Sequence, residues 1–324
     1  MIDAAIIGLG RWGQGFCEAV QNGQSQKIRF VRGVDHSADH TKALGDKHGF
    51  TPVASFEAAL ADPAVQAIVL ATPHSQHRVQ VEACARAGKA VFCEKPLALT
   101  LADAKAMVAA CQAAKVTFAV GHNRRFWPSF TALREIVASG ELGRLLHIEG
   151  HNSNENSNAV TGGWRLKPDE SPAGGMTGAG LHILDAFVSL VGPVRRVTTQ
   201  LIEHEAGPPP IDSLSITLEF ANRLSGQMAT IRALPLFFRV HVFGVKGSAE
   251  LRGETEVTVR IGSTAPRVLT FTPVNSQRAE LEAFADALDG RAPYPISFDS
   301  MLATVAAFEG VVNSVARKGA PVEV

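Results

Sequence analysis

The sequence has no excess of charge, no paired cysteines and no long apolar run. Its 324 residues include 31 basic and 31 acidic side chains, so no overall field favours nucleic acid or an anionic membrane as partner. None of its 4 cysteines stands in a Cys-x-x-Cys pair, which predicts reduced thiols, no zinc bound through sulfur and a cytoplasmic protein. No apolar run approaches a membrane span, and the first residues already form a strand pattern, so we expect neither membrane insertion nor a targeting segment.

A glycine-rich turn between two short apolar runs stands near the start of the sequence. The turn reads Gly8-Leu9-Gly10-Arg11-Trp12-Gly13. Gly8 permits a tight turn, Gly10 lets the backbone approach a pyrophosphate, and Gly13 lets the following helix lie close to the sheet. The N-terminus of that helix presents unpaired N–H groups and a partial positive charge to the phosphates. The stretch therefore predicts a dinucleotide-binding site.

The end of the second apolar run indicates which dinucleotide is bound. Asp35 stands about 20 residues beyond the turn, where a carboxylate accepts hydrogen bonds from ribose hydroxyls and repels a 2′-phosphate. This favours NAD over NADP, although the neighbouring His36 and Arg11 are able to offset the negative charge and leave NADP open. We assign the following residues to the adenosine and phosphate side of the cofactor: Gly8, Gly10, Arg11, Trp12, Gly13, Asp35 and His36.

Apolar runs alternate with helical patterns through the first part of the chain, which is typical of an α/β fold with a doubly wound parallel sheet. Ligands of such sheets bind outside the carboxyl ends of the strands. We therefore assign to the nicotinamide half of the cofactor the residues that follow two buried runs: Thr72, Pro73, His74, His77, Glu94, Lys95 and Pro96. His74 and His77 also have metal-ligand spacing, but no third ligand is identifiable nearby, so we expect no metal.

Beyond residue 143 the pattern changes to strict alternation in short strands, as in residues 214–220. This predicts a second domain of the α+β class with a mostly antiparallel open sheet and two late helices, at about 276–288 and 300–318. We predict a dinucleotide-binding Rossmann domain over residues 1–122, and a substrate-binding and oligomerisation domain over residues 123–324.

Several stretches of the second domain are candidates for substrate contact. Residues 152–158 are too polar for a core and offer amide groups to a polyhydroxylated ligand, with Asn156 as the assigned residue, although a solvated loop explains them equally well. Trp164 follows, and His182 shares one helical face with Asp185 after a run of glycines. Three arginines would receive the carboxylate of a sugar acid: Arg124, Arg125 and Arg165.

Assembled, these motifs resemble those of the glucose-fructose oxidoreductase, inositol dehydrogenase and rhizopine catabolism family of NAD(P)-dependent oxidoreductases. The resemblance covers nearly the whole chain and rests on residues 8–13, 71–73, 77, 94–96, 125–126, 164–165 and 180–185. It implies a Rossmann domain and an α/β domain whose open sheet commonly forms a dimer or tetramer interface. It also implies hydride transfer to or from a secondary alcohol on a sugar, cyclitol or related ring.

The resemblance implies roles for two residues. Lys95 would hydrogen-bond the reacting oxygen and help orient the nicotinamide ribose. His182 would take the alcohol proton as hydride leaves, a task that suits a neutral imidazole because a base near neutrality is needed. The family often has an aspartate four residues before this histidine, where the chain has Gly178. Glu155, Asn156 or Arg165 would then supply the missing polar contact, or the substrate differs.

Two other functions agree with a dinucleotide site. One is a dinucleotide-binding sensor or regulator without turnover, which Gly178 favours and the presence of both Lys95 and His182 opposes. The other is NAD-dependent glycoside hydrolysis by transient oxidation. The single tyrosine, Tyr294, stands far from every motif and gives the hydrolase no support.

Overall fold

The computed structural model of the protein describes residues 1–154, 163–206, 211–232 and 234–324. The chain divides into two compact units. The first unit comprises residues 1–98, 102–123 and 275–301, and the second comprises residues 99–101, 124–274 and 302–324. The polypeptide therefore returns to the first unit after the second sheet has been completed.

In the described residues, six strands form the sheet of the first unit: β1 (Ile2–Ile7), β2 (Ile28–Val34), β3 (Thr51–Pro52), β4 (Ala67–Leu70), β5 (Ala90–Glu94) and β6 (Phe118–Gly121). Their order is β3-β2-β1-β4-β5-β6, and each neighbouring pair is parallel. The chain winds outward from β1 in both directions, which confirms the doubly wound sheet. Ligands of such sheets bind at the point where the winding reverses.

The helices of the first unit begin and end at residues suited to those positions. Helix α1 (Arg11–Val20) follows β1 through the glycine turn. Helix α2 (Ala38–His48) begins after Ser37, whose hydroxyl accepts a hydrogen bond from the His40 amide, and ends at Gly49 with φ +80°. The remaining helices of the N-terminal part are α3 (Phe56–Ala61), α4 (His77–Arg86) and α5 (Leu101–Ala114).

A helix from late in the chain completes the core of the first unit. Helix α8 (Ser276–Leu288) contributes Leu281 and Phe284 to the same buried cluster as β1 and α1. The rings of Phe284 and Phe92 lie 5.8 Å apart. The sequence pattern groups this helix with the second domain, because helical periodicity reveals an apolar face but does not reveal which core receives it.

In the described residues, nine strands form the sheet of the second unit: β7 (Leu145–Asn154), β8 (Val194–Glu205), β9 (Ile211–Phe220), β10 (Ser225–Arg232), β11 (Phe237–Gly244), β12 (Gly247–Arg252), β13 (Glu256–Ile261), β14 (Arg267–Thr270) and β15 (Val322–Glu323). Their order is β14-β13-β12-β11-β7-β10-β9-β8-β15. The pair β7 and β10 is parallel and the others are antiparallel, which confirms the mostly antiparallel sheet.

Three further helices are α6 (Pro128–Ala138), α7 (Leu181–Val191) and α9 (Phe298–Ala316). Helix α7 is buried along almost its whole length. It lies against β7 at Gly150, where an added Cβ would come within 2.5 Å of Ile183 and 2.9 Å of Phe187. Glycine at this position therefore lets the helix approach the sheet closely and fixes where its first turn lies.

The polar stretch that begins at residue 152 is partly core. Asn152 and Ser153 end strand β7 and are 0% exposed, so the expectation that this stretch is too polar for a core is wrong for them. The buried Asn152 side chain donates a hydrogen bond at 2.6 Å to the carbonyl of Ala179. Glu155, Asn156 and residues 207–210 lie outside the described residues.

The four cysteines are buried and free, as predicted. Burial raises the pKa of Cys17, Cys84 and Cys111 to about 12, so these thiols are unreactive. Among the described helices, none has the length and apolar character of a membrane span. The part of the chain that the structure describes also contains no cluster of three potential metal ligands.

Candidate active site

The glycine turn has the geometry that its residues predict. Gly8 has φ +90°, and an added Cβ would lie 2.6 Å from the carbonyl oxygen of Ala71. A Cβ on Gly13 would overlap the carbonyl oxygen of Gly8. By contrast, nothing lies within 4 Å of the Cβ position of Gly10. Two glycines therefore serve internal packing, and the third leaves open space for a ligand to reach the backbone.

The first turn of α1 fits a diphosphate group. Gly10 is the N-cap residue, no side chain caps the helix, and its first turn contains no acidic residue. Because the first N–H groups of a helix have no partner within the helix, this end is suited to an anion. Arg11 is exposed here, whereas Trp12 packs edge-on against Phe16 with ring centroids 6.2 Å apart.

Asp35 connects the turn to the end of β2. One carboxylate oxygen accepts a hydrogen bond at 2.6 Å from the Leu9 amide, and the other faces the Nδ1 atom of His36. The Asp35 side chain is 7% exposed and that of His36 is 93% exposed. His40 also reaches the turn, with Nε2 3.1 Å from the Leu9 carbonyl oxygen, a contact that sequence reasoning missed. The carboxylate is thus held at the end of β2 by the Leu9 amide and the neighbouring His36.

The residues after β4 form a connected polar group. Thr72 donates a hydrogen bond at 2.6 Å to Gln80. His77 is 0% exposed, and its ring nitrogens lie 3.2 Å and 3.0 Å from the carbonyl oxygens of Thr72 and Pro96. His77 thus joins the two strand ends, and its predicted contact with the cofactor stays a prediction. His74 packs against His77 with ring centroids 5.8 Å apart.

The segment after β5 presents one charged side chain between two buried neighbours. Glu94 and Pro96 are buried, and Lys95 is partly exposed. The Lys95 amide donates a hydrogen bond at 3.1 Å to the Glu94 carboxylate. A Cβ on Gly121, in the neighbouring strand β6, would overlap that carboxylate, so a larger residue there would displace it. Lys95 is therefore the group of this segment that a ligand can reach.

In the second unit, α7 is tied to the segment before α6 by a buried ion pair. Arg125 donates to both oxygens of Asp185, at 2.7 and 2.8 Å, and the two side chains are 6% and 4% exposed. This bidentate pair occupies the Nε–Nη2 edge of Arg125, so that edge is not available to a substrate carboxylate. Asp185 stands one turn after His182 on α7 and holds the helix that carries the imidazole.

His182 lies in the first turn of α7 and is 6% exposed. A single π-helical turn, Met176–Gly180, precedes it. Close packing of this turn depends on Gly180, where a Cβ would overlap Met176 and come within 3.2 Å of Thr230. Gly178, at the position of the family aspartate, is exposed. The turn thus positions His182 and contributes no carboxylate of its own.

The other two predicted arginines stack on aromatic rings. The Arg124 guanidinium lies 5.0 Å from the Trp127 ring and 4.5 Å from the Phe238 ring. Its burial lowers the pKa to about 9, which still leaves it charged at neutral pH. Arg165 is exposed and stacks on Trp164 at 4.2 Å. A cation–π contact involves the face of the guanidinium and not its N–H edges, and the substrate role predicted for both arginines stays a prediction.

The predicted residues of the first unit share one edge of its sheet. The glycine turn, Asp35, the Thr72 segment and the Lys95 segment follow β1, β2, β4 and β5 respectively. Sequence reasoning missed Glu280, a fully buried residue of α8. A signal for it exists, since Glu280 stands on the apolar face one turn before Phe284, where a charged residue must have a reason.

Comparison with known proteins agrees with these features. Residues 2–122 match the model of an oxidoreductase family with an NAD-binding Rossmann fold, and residues 130–250 match the GFO/IDH/MocA C-terminal domain. The chain is 28% identical to inositol 2-dehydrogenase of Rhizobium meliloti over 97% of its length and 96% of that protein. It is 31% identical to 1,5-anhydro-D-fructose reductase of Ensifer adhaerens over 78% of its length and 79% of that protein.

A solved structure shares the fold. Levoglucosan dehydrogenase in complex with NADH and levoglucosan superimposes with a TM-score of 0.87 at 20% identity, covering 100% of this chain and 99% of that one. The fold and the glycine turn define an NAD-binding oxidoreductase. More specifically, the chain belongs to the GFO/IDH/MocA oxidoreductase family.

Proposed function

We propose that the protein transfers hydride between NAD and a secondary alcohol or ketone on a polyhydroxylated ring such as a sugar, cyclitol or sugar acid. The observation that carries the proposal is the partly exposed Lys95 at the strand edge that also holds the glycine turn. The relatives support the substrate class, since their names specify inositol, 1,5-anhydro-D-fructose and levoglucosan.

Each group would act as follows. NAD, when bound, supplies the hydride acceptor. The open backbone at Gly10 and the N-terminus of α1 would hold its diphosphate. Lys95 would donate a hydrogen bond to the reacting oxygen, and His182 would hold the proton that leaves the alcohol. Asp35 would accept hydrogen bonds from the adenosine ribose, which supports NAD over NADP as the preferred cofactor.

The acidic members of the substrate class remain the favoured ones. Arg124 supports this preference, because its buried guanidinium has aromatic neighbours and an Nη1 atom without a hydrogen-bond partner in the described residues. A carboxylate would supply the missing acceptor. The family resemblance further supports a homodimer or homotetramer, which light scattering would test.

A second candidate is a dinucleotide-binding regulator without turnover. Gly178 favours it, because this exposed position lacks the carboxylate that the family often has. One measurement distinguishes the two functions. A regulator binds NAD, but no ring alcohol causes the reduction of NAD in its presence.

The test is a screen of sugars, cyclitols, sugar acids and aromatic dihydrodiols with NAD and NADP, followed by absorbance of the reduced nicotinamide. On the substrate found, K95A is expected to lower kcat by about 10² to 10⁴, with cofactor affinity within about tenfold. K105A, which removes an exposed lysine of α5, serves as the matched control and should behave as the unmodified protein. Unchanged turnover in K95A would contradict the assignment.

A further inference from the structure

A fully buried glutamate of the first unit has no part in the function proposed above. Glu280 of α8 is 0% exposed, and both carboxyl oxygens are without a hydrogen-bond partner among the described residues. A carboxylate without donors is strongly disfavoured in such surroundings, whereas the neutral acid is tolerated. The position of Glu280 therefore decides what it can do.

The direction of α8 brings Glu280 toward the carboxyl edge of the sheet. At the start of the helix, Ser276 accepts a hydrogen bond at 2.9 Å from Asn123, which follows β6. Near its end, Asp286 pairs at 2.7 Å with Lys27, which precedes β2. Helix α8 therefore runs antiparallel to the strands. Glu280, in its second turn, lies near the edge where the strands end.

The packing of α8 on β5 makes Glu280 a neighbour of Glu94. Phe284, one helical turn after Glu280, meets Phe92 with ring centroids 5.8 Å apart, and Glu94 is two residues after Phe92. Four helical residues and two strand residues each return to the same face and advance by about 6 Å. Because helix and strand run in opposite directions, the Glu280 and Glu94 carboxyl groups face each other one step along the interface from the Phe284–Phe92 contact.

The two buried carboxyl groups thus lie close together, and the partly exposed Lys95 acts on them electrostatically. Burial raises the pKa of Glu280 well above its ordinary value, the charge of Glu94 raises it further, and the charge of Lys95 lowers it. Glu94 accepts a hydrogen bond from the Lys95 amide, and this bond favours the negative charge on Glu94 over the same charge on Glu280. Two other cations at α8 have partners other than Glu280. Lys27 pairs with Asp286, and Arg278 donates to the Ala19 carbonyl and to Gln24.

We propose that Glu280 is a positioning residue that holds a proton at neutral pH, so that Glu94 alone balances the charge of Lys95. A second carboxylate would leave the buried group with net negative charge and draw the ammonium inward, away from the ligand. The importance of this arrangement for turnover rests on the function proposed for Lys95. The protonation of Glu280 does not, and can be measured without substrate.

Infrared spectroscopy of the full chain in D₂O tests the protonation. At about pH 7, where ordinary glutamates are ionised, the spectrum should contain the carbonyl band of a protonated carboxyl group, and E280Q should remove it. E250Q is the matched control, because Glu250 is also buried but lies against arginines and should be ionised. A missing band in the unmodified protein, or a band that E280Q leaves in place, overturns the proposal.

Titration of the same band tests the link to Lys95, which a merely structural glutamate would lack. K95M removes the charge that favours the ionised form, so the band should persist to higher pH, by about one unit or more. E94Q removes the charge that opposes ionisation, so the band should disappear at lower pH. Equal midpoints in K95M and the unmodified protein would overturn the proposal. These two titrations remain decisive if E280Q fails to fold, and they are independent of any dehydrogenase activity.

Discussion

Two buried glutamates, one in each unit, have pKa values that shift in opposite directions. Burial is the main cause that raises the pKa of Glu280 in the first unit. Burial acts in the same sense on Glu250 in the second unit, but the charges of Arg252, His241 and Arg239 outweigh it, and the pKa is lowered. The guanidinium of Arg239 lies 2.8 Å from the Glu250 carboxylate.

The difference teaches that donors, and not burial alone, decide the charge of an interior acid. Glu250 is 6% exposed and Glu280 is 0% exposed, so solvent access barely separates them. The second unit repeats its solution at Asp185, which takes both donors of Arg125. Around Glu280 the first unit supplies no such donor among the described residues. In the second unit, the ion pair of Arg125 and Asp185 holds α7 in place. In the first unit, we expect Glu280 to stay protonated, so that Glu94 alone balances the charge of Lys95.

The largest expected effect comes from making Asp185 resemble Glu280. R125M removes the two charged donors that Arg125 directs at a carboxylate that is 4% exposed. We expect the free energy of unfolding to fall by about 3 to 5 kcal/mol, as is usual when one partner of a buried pair is removed. Denaturant unfolding followed by tryptophan fluorescence measures the loss.

The matched control for this change is R267M. Arg267 pairs with Glu141 at 3.0 Å in the same unit, but its side chain is 53% exposed. Exposed pairs contribute about 0.2 to 1 kcal/mol, so the control should hardly move the transition. Similar losses in the two variants would show that the burial of the Arg125 pair is energetically irrelevant.

An intermediate effect should appear in the pH dependence of stability for E280Q. Because the pKa of Glu280 is raised in the folded state, its contribution is fully present below the unfolded pKa and is lost as pH rises toward the folded value. E280Q abolishes that loss. Above about pH 5 the free energy of unfolding of E280Q should therefore rise relative to that of the unmodified protein, by up to about 1.4 kcal/mol per pH unit.

E250Q should show the opposite sign on the acid side. The lowered pKa of Glu250 gives stability that is present above the unfolded pKa and lost as pH falls toward the folded value. E250Q should therefore be less stable than the unmodified protein at neutral pH and approach it in acid. Thermal unfolding of the three proteins at a series of pH values measures both trends. If the stability difference from the unmodified protein changes with pH in the same direction for both variants, the contrast between the two glutamates is wrong.

Much of the first unit could be predicted from sequence, because its signals are local. The glycines of the turn act through contacts within the same βαβ unit, such as that between Gly13 and Gly8. Helix α8 is different. Its bounds follow from periodicity, but its packing on Phe92 joins residues far apart in the chain, which no local pattern encodes.

The candidate site shows the same limit. The Lys95 and His182 segments were found through motifs, whereas the pairing of Arg125 with Asp185 depends on tertiary packing across 60 positions of sequence. A sequence shows that an arginine is present but not whether its fork is already filled. The same holds for His77, whose contacts with the carbonyl oxygens of Thr72 and Pro96 cannot be read from the sequence.

The smallest expected effect concerns a third enclosed acid, Asp35, which lies between the two extremes. A backbone amide and a histidine hold its carboxylate, in place of the arginines at Glu250. D35N keeps the shape but weakens acceptance from ribose hydroxyls and removes the repulsion of a 2′-phosphate. We expect NAD to bind about tenfold more weakly, or about 1.4 kcal/mol, and NADP to bind relatively better. Titration calorimetry with both cofactors measures the change, with D39N, at an exposed site of α2, as the control. An unaltered ratio of the two affinities would mean that Asp35 serves only to hold the Leu9 amide.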